Sequence, residues 1–583
     1  MRGAIHLLLA LLLAALFPAL ALAQAPASDP DDDDDDDDAP PLVEQVAPQS
    51  LAKLPQQDLN EQLLYSLLLG EIAAQRGNPA VAAQTYLEVA RQTRDPRIAR
   101  RAVELAQFAR APEIALDAAK VWHEADPESP QGLRAVTVLL VGTKRVDDAA
   151  PYIAKLLQGK DQAPGGLMQL GQLLAQNSDK AANLRVVRKL AEPYPELPEA
   201  HFAIAQAAFA ATDEALALAE LTRASSIRPG WDLPVIFEAQ ILRRRSPAEA
   251  IQRLGGFLDK YPTARDVRLN YARILVAEKR FPEARTQFEK LLSLHKEDTE
   301  AIYGVGILAM QAKDYSTAEA NLTRLLELGY RDPNGLRFTL AQLAEEQKDW
   351  PRAIGWYDSI KRGEHAMPAR LRTANALAKQ GKLPEARKYL QSVNAGEGDR
   401  VQLQIAEAQL LRDAQLHKDA FELLGQALAA NPKQPDLMYD FALTAEKLNR
   451  LDLLEANLRE LIQLKPDHAH AYNALGYSLA DRNERLPEAR KLIEKALELA
   501  PEDYYIMDSL GWVLYRMGDL KGAAQTLRRA WKGRPDGEIG AHLGEVLWVL
   551  GEHAEAEGVW REALEASPDS DTLQKTIQRL KKK

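Results

Sequence analysis

The sequence predicts an all-α solenoid of helical hairpins, in which about 15 repeats follow one another along the chain. Two observations predict it. Leucine-glycine pairs, alanines and prolines recur near the C-terminus at a spacing of 33 to 35 residues. In addition, 46% of the 583 residues are hydrophobic although only 6% are aromatic. Aliphatic side chains and alanine suit closely packed helices, and a period of this length is typical of helical repeat proteins.

An export signal is predicted at residues 1–23. Arg2 supplies a positive start, residues 7–17 form a short apolar run, and Pro18 interrupts it. Residues 21–23 read Ala-Leu-Ala, which is an A-x-A cleavage site. The alternative is an uncleaved membrane anchor, but the run is shorter than the roughly 20 residues that span a bilayer. We therefore expect a periplasmic protein of the bacterial envelope, with no transmembrane segment after cleavage.

Residues 24–62 are predicted to be a tether rich in proline and aspartate, followed by a leading segment. The formal net charge is −11, and Asp29 with the run at 31–38 contributes nine negative charges. Such a run repels itself and predicts a solvated spacer. The alternatives are a docking tail for a basic partner or a weak calcium site, although the run lacks the turn glycine of a calcium loop.

The remainder of the chain is nearly neutral and contains no cysteine. A neutral body argues against a nucleic-acid partner, because nucleic-acid binders need a basic surface. The absence of cysteine excludes disulfides, thiolate zinc sites and cysteine nucleophiles. For the same reason, we expect no lipid anchor.

The repeat is clearest in the last quarter of the chain. The recurring positions are Leu475-Gly476, Leu510-Gly511 and Leu543-Gly544, then Pro466, Pro501, Pro535 and Pro568, then Ala489, Ala523 and Ala556, and finally Ala496, Ala530 and Ala563. This pattern resembles the tetratricopeptide repeat (TPR), in which each unit is a pair of antiparallel helices. The small residues let the two helices approach, and the proline ends the second helix. The resemblance implies a right-handed superhelix that binds other chains along its groove.

The same spacing extends upstream and predicts a TPR solenoid over residues 63–570. The third to sixth units are degenerate, so their predicted boundaries are approximate. Residues 571–583 are predicted to form a C-terminal capping helix, because Leu573, Ile577 and Leu580 follow helical spacing and the outer face is basic. The 15 predicted unit starts are 63, 96, 130, 164, 198, 231, 265, 299, 334, 367, 401, 435, 469, 504 and 537.

No catalytic signature occurs in the sequence. The chain has no HExxH, P-loop, GxSxG or CxxC motif. His468 and His470 lie one residue apart at a turn between repeats, but no third ligand stands at a spacing typical of metal sites. We therefore expect a protein that is not an enzyme and that carries no cofactor or metal.

Aromatic residues concentrate in the last two units, which contain Trp512, Trp531, Trp548 and Trp560. The resemblance to TPR proteins implies that fixed positions of each first helix line the partner-binding groove. Those positions hold Tyr477, Tyr505, Asp508, Trp512, Tyr515, Arg516, Glu545 and Trp548. Tyrosine and tryptophan are enriched in binding hot spots, which favours a binding groove. The alternative is that these aromatic residues fill the core between repeats, as we predict for Trp560.

Two segments carry a closer resemblance. Residues 54–77 read LPQQDLNEQLLYSLLLGEIAAQRG, and residues 503–518 read DYYIMDSLGWVLYRMG. With the leader, the tether and the long array, they resemble the Gram-negative envelope TPR adaptors of the periplasmic carboxyl-terminal processing protease. The resemblance implies an adaptor that delivers cell-wall hydrolases, chiefly peptidoglycan cross-link endopeptidases, for degradation. The best-known adaptor is anchored through an N-terminal lipid-modified cysteine, which this chain lacks.

A second function class stays open at this point. A TPR array of this kind also suits a structural assembly factor for an envelope machine, such as a pilus, a secretin or a polysaccharide exporter.

Overall fold

A computed structural model describes residues 54–55, 57–158, 162–175 and 177–582. The predicted export signal and most of the predicted tether lie outside these residues. Every regular element of the described residues is an α-helix, and there are 31 of them. They are α1 (Glu61–Gln75), α2 (Pro79–Thr93), α3 (Pro96–Phe108), α4 (Pro112–Ala125), α5 (Pro130–Gly142), α6 (Val146–Leu156), α7 (Ala163–Leu173), α8 (Lys180–Ala191), α9 (Pro198–Ala210), α10 (Glu214–Ile227), α11 (Asp232–Arg243), α12 (Pro247–Lys260), α13 (Arg265–Ala277), α14 (Phe281–Leu294), α15 (Thr299–Gln311), α16 (Tyr315–Glu327), α17 (Pro333–Glu346), α18 (Trp350–Asp358), α19 (Ala366–Lys379), α20 (Leu383–Ser392), α21 (Glu397–Asp413), α22 (His417–Ala430), α23 (Pro435–Lys447), α24 (Leu451–Leu464), α25 (Ala469–Asp481), α26 (Leu486–Leu499), α27 (Tyr504–Arg516), α28 (Leu520–Gly533), α29 (Gly537–Val549), α30 (His553–Ala566) and α31 (Asp571–Lys581).

The helices begin where the sequence supplies a cap. Asp298 precedes α15 and accepts a hydrogen bond from the backbone N–H of Ala301 at 3.0 Å. Asp519 precedes α28 and accepts from Gly522 N–H at 2.9 Å. These side chains satisfy backbone donors that have no partner inside the helix. Proline stands in the first turn of many other helices, where its missing N–H costs nothing.

Small residues let the two helices of a pair touch. A Cβ atom on Gly511 would lie 2.4 Å from Cγ of Leu527, so α27 and α28 are in close contact there. A Cβ atom on Gly544 would lie 1.9 Å from Nε1 of Trp560, which joins α29 and α30 in the same way. The prediction of an all-α fold of helical hairpins is therefore confirmed for the part of the chain that the structure describes.

The helices group into two units, one ending at Leu328 and the other beginning at Gly329. In the first unit, alanines and aliphatic side chains such as Ala99, Leu116 and Leu140 form the core. In the second unit, the core of α23 to α27 contains Leu458, Leu475 and Ile493, among others. Among the described residues, no helix is both long enough and apolar enough to cross a membrane.

The last helix completes the second unit. Leu573 and Leu580 of α31 are buried in the same core cluster as Trp560 of α30. Arg579 of α31 reaches the buried carboxylate of Glu545 on α29. Lys581 of α31 also lies 2.8 Å from the carboxylate of Glu557 on α30. The helix therefore contributes both apolar packing and two ion pairs to its neighbours.

Candidate functional site

The eight predicted binding residues lie on three helices, and each of these helices is the first of a pair. Helix α25 carries Tyr477, and α29 carries Glu545 and Trp548. Helix α27 carries the other five, namely Tyr505, Asp508, Trp512, Tyr515 and Arg516. All three helices belong to the second unit, so the residues can be described together.

A buried ion pair joins α27 to α29. Nδ1 of His542 donates a hydrogen bond to Oδ2 of Asp508 at 2.9 Å, and the two residues are only 5% and 4% exposed. Burial alone would lower the pKa of His542, but the charge and hydrogen bond of Asp508, with the charges of Glu538 and Glu545, raise it above its usual value. The pair therefore holds two successive repeats together through charge in the interior.

Trp512 lies directly against this pair. Its ring stacks on the His542 ring with centroids 4.3 Å apart and an interplanar angle of 24°. Tyr477 of α25 approaches the same imidazole with a centroid distance of 6.2 Å, so three successive first helices contribute to one cluster. The indole of Trp512 is only 6% exposed. The side chain is thus part of the interior of this region.

Two polar atoms in the cluster lack a hydrogen-bond partner among the described residues. They are Oδ1 of Asp508 and Nε1 of Trp512, and both are buried. Buried polar atoms are normally paired with protein or with ordered water. One is an acceptor and the other is a donor, and the two residues lie about one helical turn apart on α27.

A second polar link connects α27, α29 and α31. The Tyr515 hydroxyl donates to Oε1 of Glu545 at 3.2 Å, and Arg579 donates to Oε2 of the same carboxylate at 2.5 Å. Burial, followed by the Glu545 charge, raises the pKa of Tyr515. Glu545 is itself buried, so its two partners compensate for the loss of hydration.

Trp548 belongs to a different contact. Its ring stacks on Trp560 with centroids 5.4 Å apart, and it meets the His553 ring in a T-shaped arrangement with centroids 4.2 Å apart. Trp560 is only 2% exposed, which confirms the prediction that it is a core residue. Trp548 is half-buried, so it packs against the core through Trp560 and is also partly exposed to solvent.

The outer edge of α27 is open to solvent. Tyr505 is 41% exposed, and its hydroxyl accepts a hydrogen bond from Nε of Arg534 at 2.9 Å. The Arg534 guanidinium also lies 4.8 Å from the ring centroid of Tyr505. Arg516 is half-buried, and its guanidinium carbon lies 5.8 Å from the Trp512 ring. This edge therefore exposes part of an aromatic ring and part of a guanidinium group to solvent.

The structure therefore divides the predicted residues by depth. Asp508, Trp512 and Glu545 are buried, whereas Tyr477, Tyr515, Arg516 and Trp548 are half-buried and Tyr505 is exposed. Sequence reasoning missed His542 and Arg579, which are the charged partners of the two buried carboxylates. Their spacing was a usable signal, since each follows its carboxylate by 34 residues, close to one repeat. That the eight residues bind a partner stays a prediction.

The two histidines at the start of α25 have separate contacts: His468 caps the helix, and His470 lies in its first turn. Nδ1 of His468 accepts from the backbone N–H of Ala471 at 3.1 Å and so caps the helix, while burial lowers the pKa of its imidazole. Nε2 of His470 lies 3.9 Å from Asp503. Within the described residues, no group of three or more histidine, aspartate or glutamate side chains is arranged to hold a metal ion.

Comparison with known proteins agrees with this architecture. Tetratricopeptide repeat profiles match residues 242–306, 303–366, 439–504 and 509–571. The chain is 35% identical over 547 residues to the TPR repeat-containing protein PA4667 of Pseudomonas aeruginosa, covering 93% of this chain and 92% of that protein. It is 24% identical over 470 residues to cellulose synthase operon protein C of Pseudomonas fluorescens, covering 74% of this chain and 36% of that protein.

Two solved structures are also similar. Yeast Tom70 shares 14% identity, with 89% of this chain and 95% of that chain covered and a TM-score of 0.34. A chain of the Naa15/Naa10 assembly bound to HypK shares 13% identity, with 89% and 96% covered and a TM-score of 0.34.

The repeat geometry, the repeat profiles and the P. aeruginosa relative define a class of protein, the helical-repeat scaffolds. The chain belongs to the tetratricopeptide repeat family. Members of this family generally mediate protein–protein interactions, and their scaffold is typically non-catalytic.

Proposed function

We propose that this protein is a periplasmic adaptor that brings cell-wall hydrolases to a carboxyl-terminal processing protease. The observation that carries the proposal is the arrangement on α27. At predicted groove positions of this helix, Tyr505 is exposed and Arg516 is half-buried. Beside them, Asp508, Trp512 and His542 form a buried base. Tyrosine and arginine are typical hot-spot residues, and a rigid base lowers the entropy cost of ordering them against a partner.

The first experiment identifies the partners. The full chain, tagged at its C-terminus and expressed with its own leader, is recovered from the periplasmic fraction of a Gram-negative host and cross-linked in envelope extract. The mature protein should begin at Gln24, as intact-mass analysis will show. Co-recovery of a processing protease together with peptidoglycan endopeptidases supports the adaptor. Recovery of the chain in the cytoplasm, with its leader intact, contradicts the proposed location.

The second experiment measures the proposed activity directly. A purified processing protease is incubated with a purified peptidoglycan endopeptidase, with and without the chain, and loss of the endopeptidase is followed over time. We expect degradation to accelerate only when all three proteins are present. An endopeptidase that disappears at the same rate without the chain refutes the adaptor role.

Matched variants connect the activity to α27. Tyr505→Ala and Arg516→Ala should weaken partner binding, because truncation of a hot-spot side chain costs at least about 2 kcal/mol, or roughly thirtyfold in affinity. Arg529→Ala is the control, since it removes the same charge as Arg516→Ala from an exposed position on α28. Equal affinities for all three variants would show that the partner binds elsewhere.

The alternative is a structural assembly factor for an envelope machine. The similarity to cellulose synthase operon protein C favours this candidate, although the match covers only 36% of that protein. In the recovery experiment, subunits of a polysaccharide exporter, secretin or pilus in place of the protease would support it.

A further inference from the structure

The first helix of the described chain exposes a stripe of large apolar side chains. The stripe consists of Leu64, Tyr65, Leu68, Leu69 and Ile72, each between 40% and 66% exposed. At about 100° per residue, these five positions share one side of α1. The opposite side contains Leu63, Gly70 and Ala73, which are buried. An apolar side of this size on the surface usually marks an interaction site.

Two opposite charges lie at the ends of the stripe. Glu61 begins α1 and Arg76 caps it, and both are exposed. By helical geometry, both point toward the same side as the stripe, about 22 Å apart along the axis. Neither forms an ion pair with any residue that the structure describes. By contrast, Glu71 on another side of α1 is engaged by Tyr86 at 2.6 Å and Arg101 at 3.4 Å.

We propose that the stripe binds the same stripe of a second copy of this chain, with the two α1 helices antiparallel about a two-fold axis. The midpoint between Glu61 and Arg76 falls between Leu68 and Leu69, which is also the middle of the stripe. One register therefore places Glu61 of each copy opposite Arg76 of the other and superimposes the apolar stripes, with Tyr65 facing Ile72. An apolar centre with charged ends is the usual composition of a homodimer interface.

The charges on α1 argue against a lipid surface as the occupant. Helices that lie on membranes carry lysine and arginine on their polar side, because anionic lipid headgroups attract cations. The charged residues inside α1 are Glu61 and Glu71, and Arg76 is the one basic residue at its end. Anionic headgroups would repel the helix, whereas a second copy supplies the complementary charge at both ends.

Disulfide cross-linking tests the register, because the chain has no native cysteine. Chains carrying Tyr65→Cys are mixed with chains carrying Ile72→Cys under mild oxidation. In the antiparallel register these two positions face each other, within the Cα separation of about 7 Å that a disulfide tolerates. When either variant is oxidised alone, its two introduced thiols would lie about 10 Å apart along the axis, so each variant should cross-link far less with itself. Efficient cross-linking of Tyr65→Cys chains with themselves would indicate a parallel arrangement and overturn the proposal.

Sedimentation velocity of the full chain, purified without detergent, tests the dimer itself. Leu68→Glu should raise the dimer dissociation constant by about 100-fold, because it places two carboxylates near the two-fold axis. Glu61→Arg or Arg76→Glu alone should weaken the dimer, and the double exchange should restore it. Val138→Glu on α5 is the control, since Val138 is 49% exposed outside the stripe. At about 100 micromolar, a dimer of ordinary affinity would form. If the wild type stays monomeric at that concentration, the proposal is refuted. Binding of the monomeric chain to anionic vesicles would not change that conclusion. A double exchange that fails to restore the dimer would refute the proposal as well.

Discussion

The buried pair of Asp508 and His542 makes a sharp prediction about how the last repeats are held together. Asp508→Ala removes the carboxylate and leaves the imidazole of His542 in the interior, stacked on Trp512, without its hydrogen bond. The change is small in volume, so the main loss is electrostatic. We expect α27 and α29 to separate more readily, while helices in the first unit stay unaffected.

The magnitude follows from the burial of both partners. Removing one partner of a buried ion pair typically lowers the free energy of unfolding by about 3–5 kcal/mol, because the remaining charge is uncompensated. His542 can lose its proton, which limits the penalty to about 1–3 kcal/mol for an unsatisfied buried polar group. The expected cost of Asp508→Ala therefore lies between about 1 and 5 kcal/mol. The double variant Asp508→Ala with His542→Leu should recover most of it, since neither member of the pair is then left in the interior without the other.

Amide hydrogen exchange is the suitable assay, because stability in a repeat protein is a sum of local terms. Exchange in α27 and α29 should quicken in Asp508→Ala and slow again in the double variant. A cost within about 0.5 kcal/mol would be that of an ordinary surface substitution. Such a result would refute the buried pair and would mean that Asp508 is open to solvent.

The same pair predicts a pH dependence. The pKa of His542 is raised in the folded protein, so above the unfolded value of about 6.5 the folded state holds a proton that the unfolded state has released. This contribution is complete below about pH 6.5 and is lost as the pH rises through the folded pKa. The free energy of opening of α27 and α29 should therefore fall with rising pH in the wild type. It should change less in Asp508→Asn, and an equal slope in both proteins would contradict the assignment.

Two further predictions concern other parts of the second unit. Gly544→Ala should destabilise α29 and α30 by about 1–3 kcal/mol in thermal unfolding, because the new methyl group would meet Trp560. The control Gly355→Ala, in an exposed helix position with nothing nearby, should stabilise by up to about 1 kcal/mol. Glu455 has a pKa lowered to about 2, first by its hydrogen bond to Arg485. Its stabilising contribution should be lost as the pH falls from about 4.3 to about 2, and Glu455→Gln should flatten that part of an acid-unfolding curve.

The period of small residues predicted the helical hairpins because close contact between helices is a local requirement. A glycine at 511 or 544 is needed wherever the partner helix carries a large side chain at the contact, and that partner is the next helix in sequence. The burial of Trp560 was predictable for the same reason. In contrast, the partners of Asp508 and Glu545 lie one repeat further along the chain. Pairings of this kind depend on how successive repeats stack, which the motif does not specify.

The depth of a residue at a groove position is set by what the next repeat places over it. Trp512 and Tyr505 both occupy predicted groove positions of α27, yet His542 covers Trp512 while Tyr505 stays open beside Arg534. We expect that a residue smaller than histidine at 542 would leave the indole of Trp512 uncovered. The indole would then be accessible to a partner. Whether position 512 is a core or a groove position is therefore determined by the residue at 542 on α29, and not by α27 itself. For this reason, a partner that binds while His542 covers Trp512 should contact Tyr505 and Arg516. Substitution of Trp512 should then change the affinity for that partner only by changing the stability of the repeat.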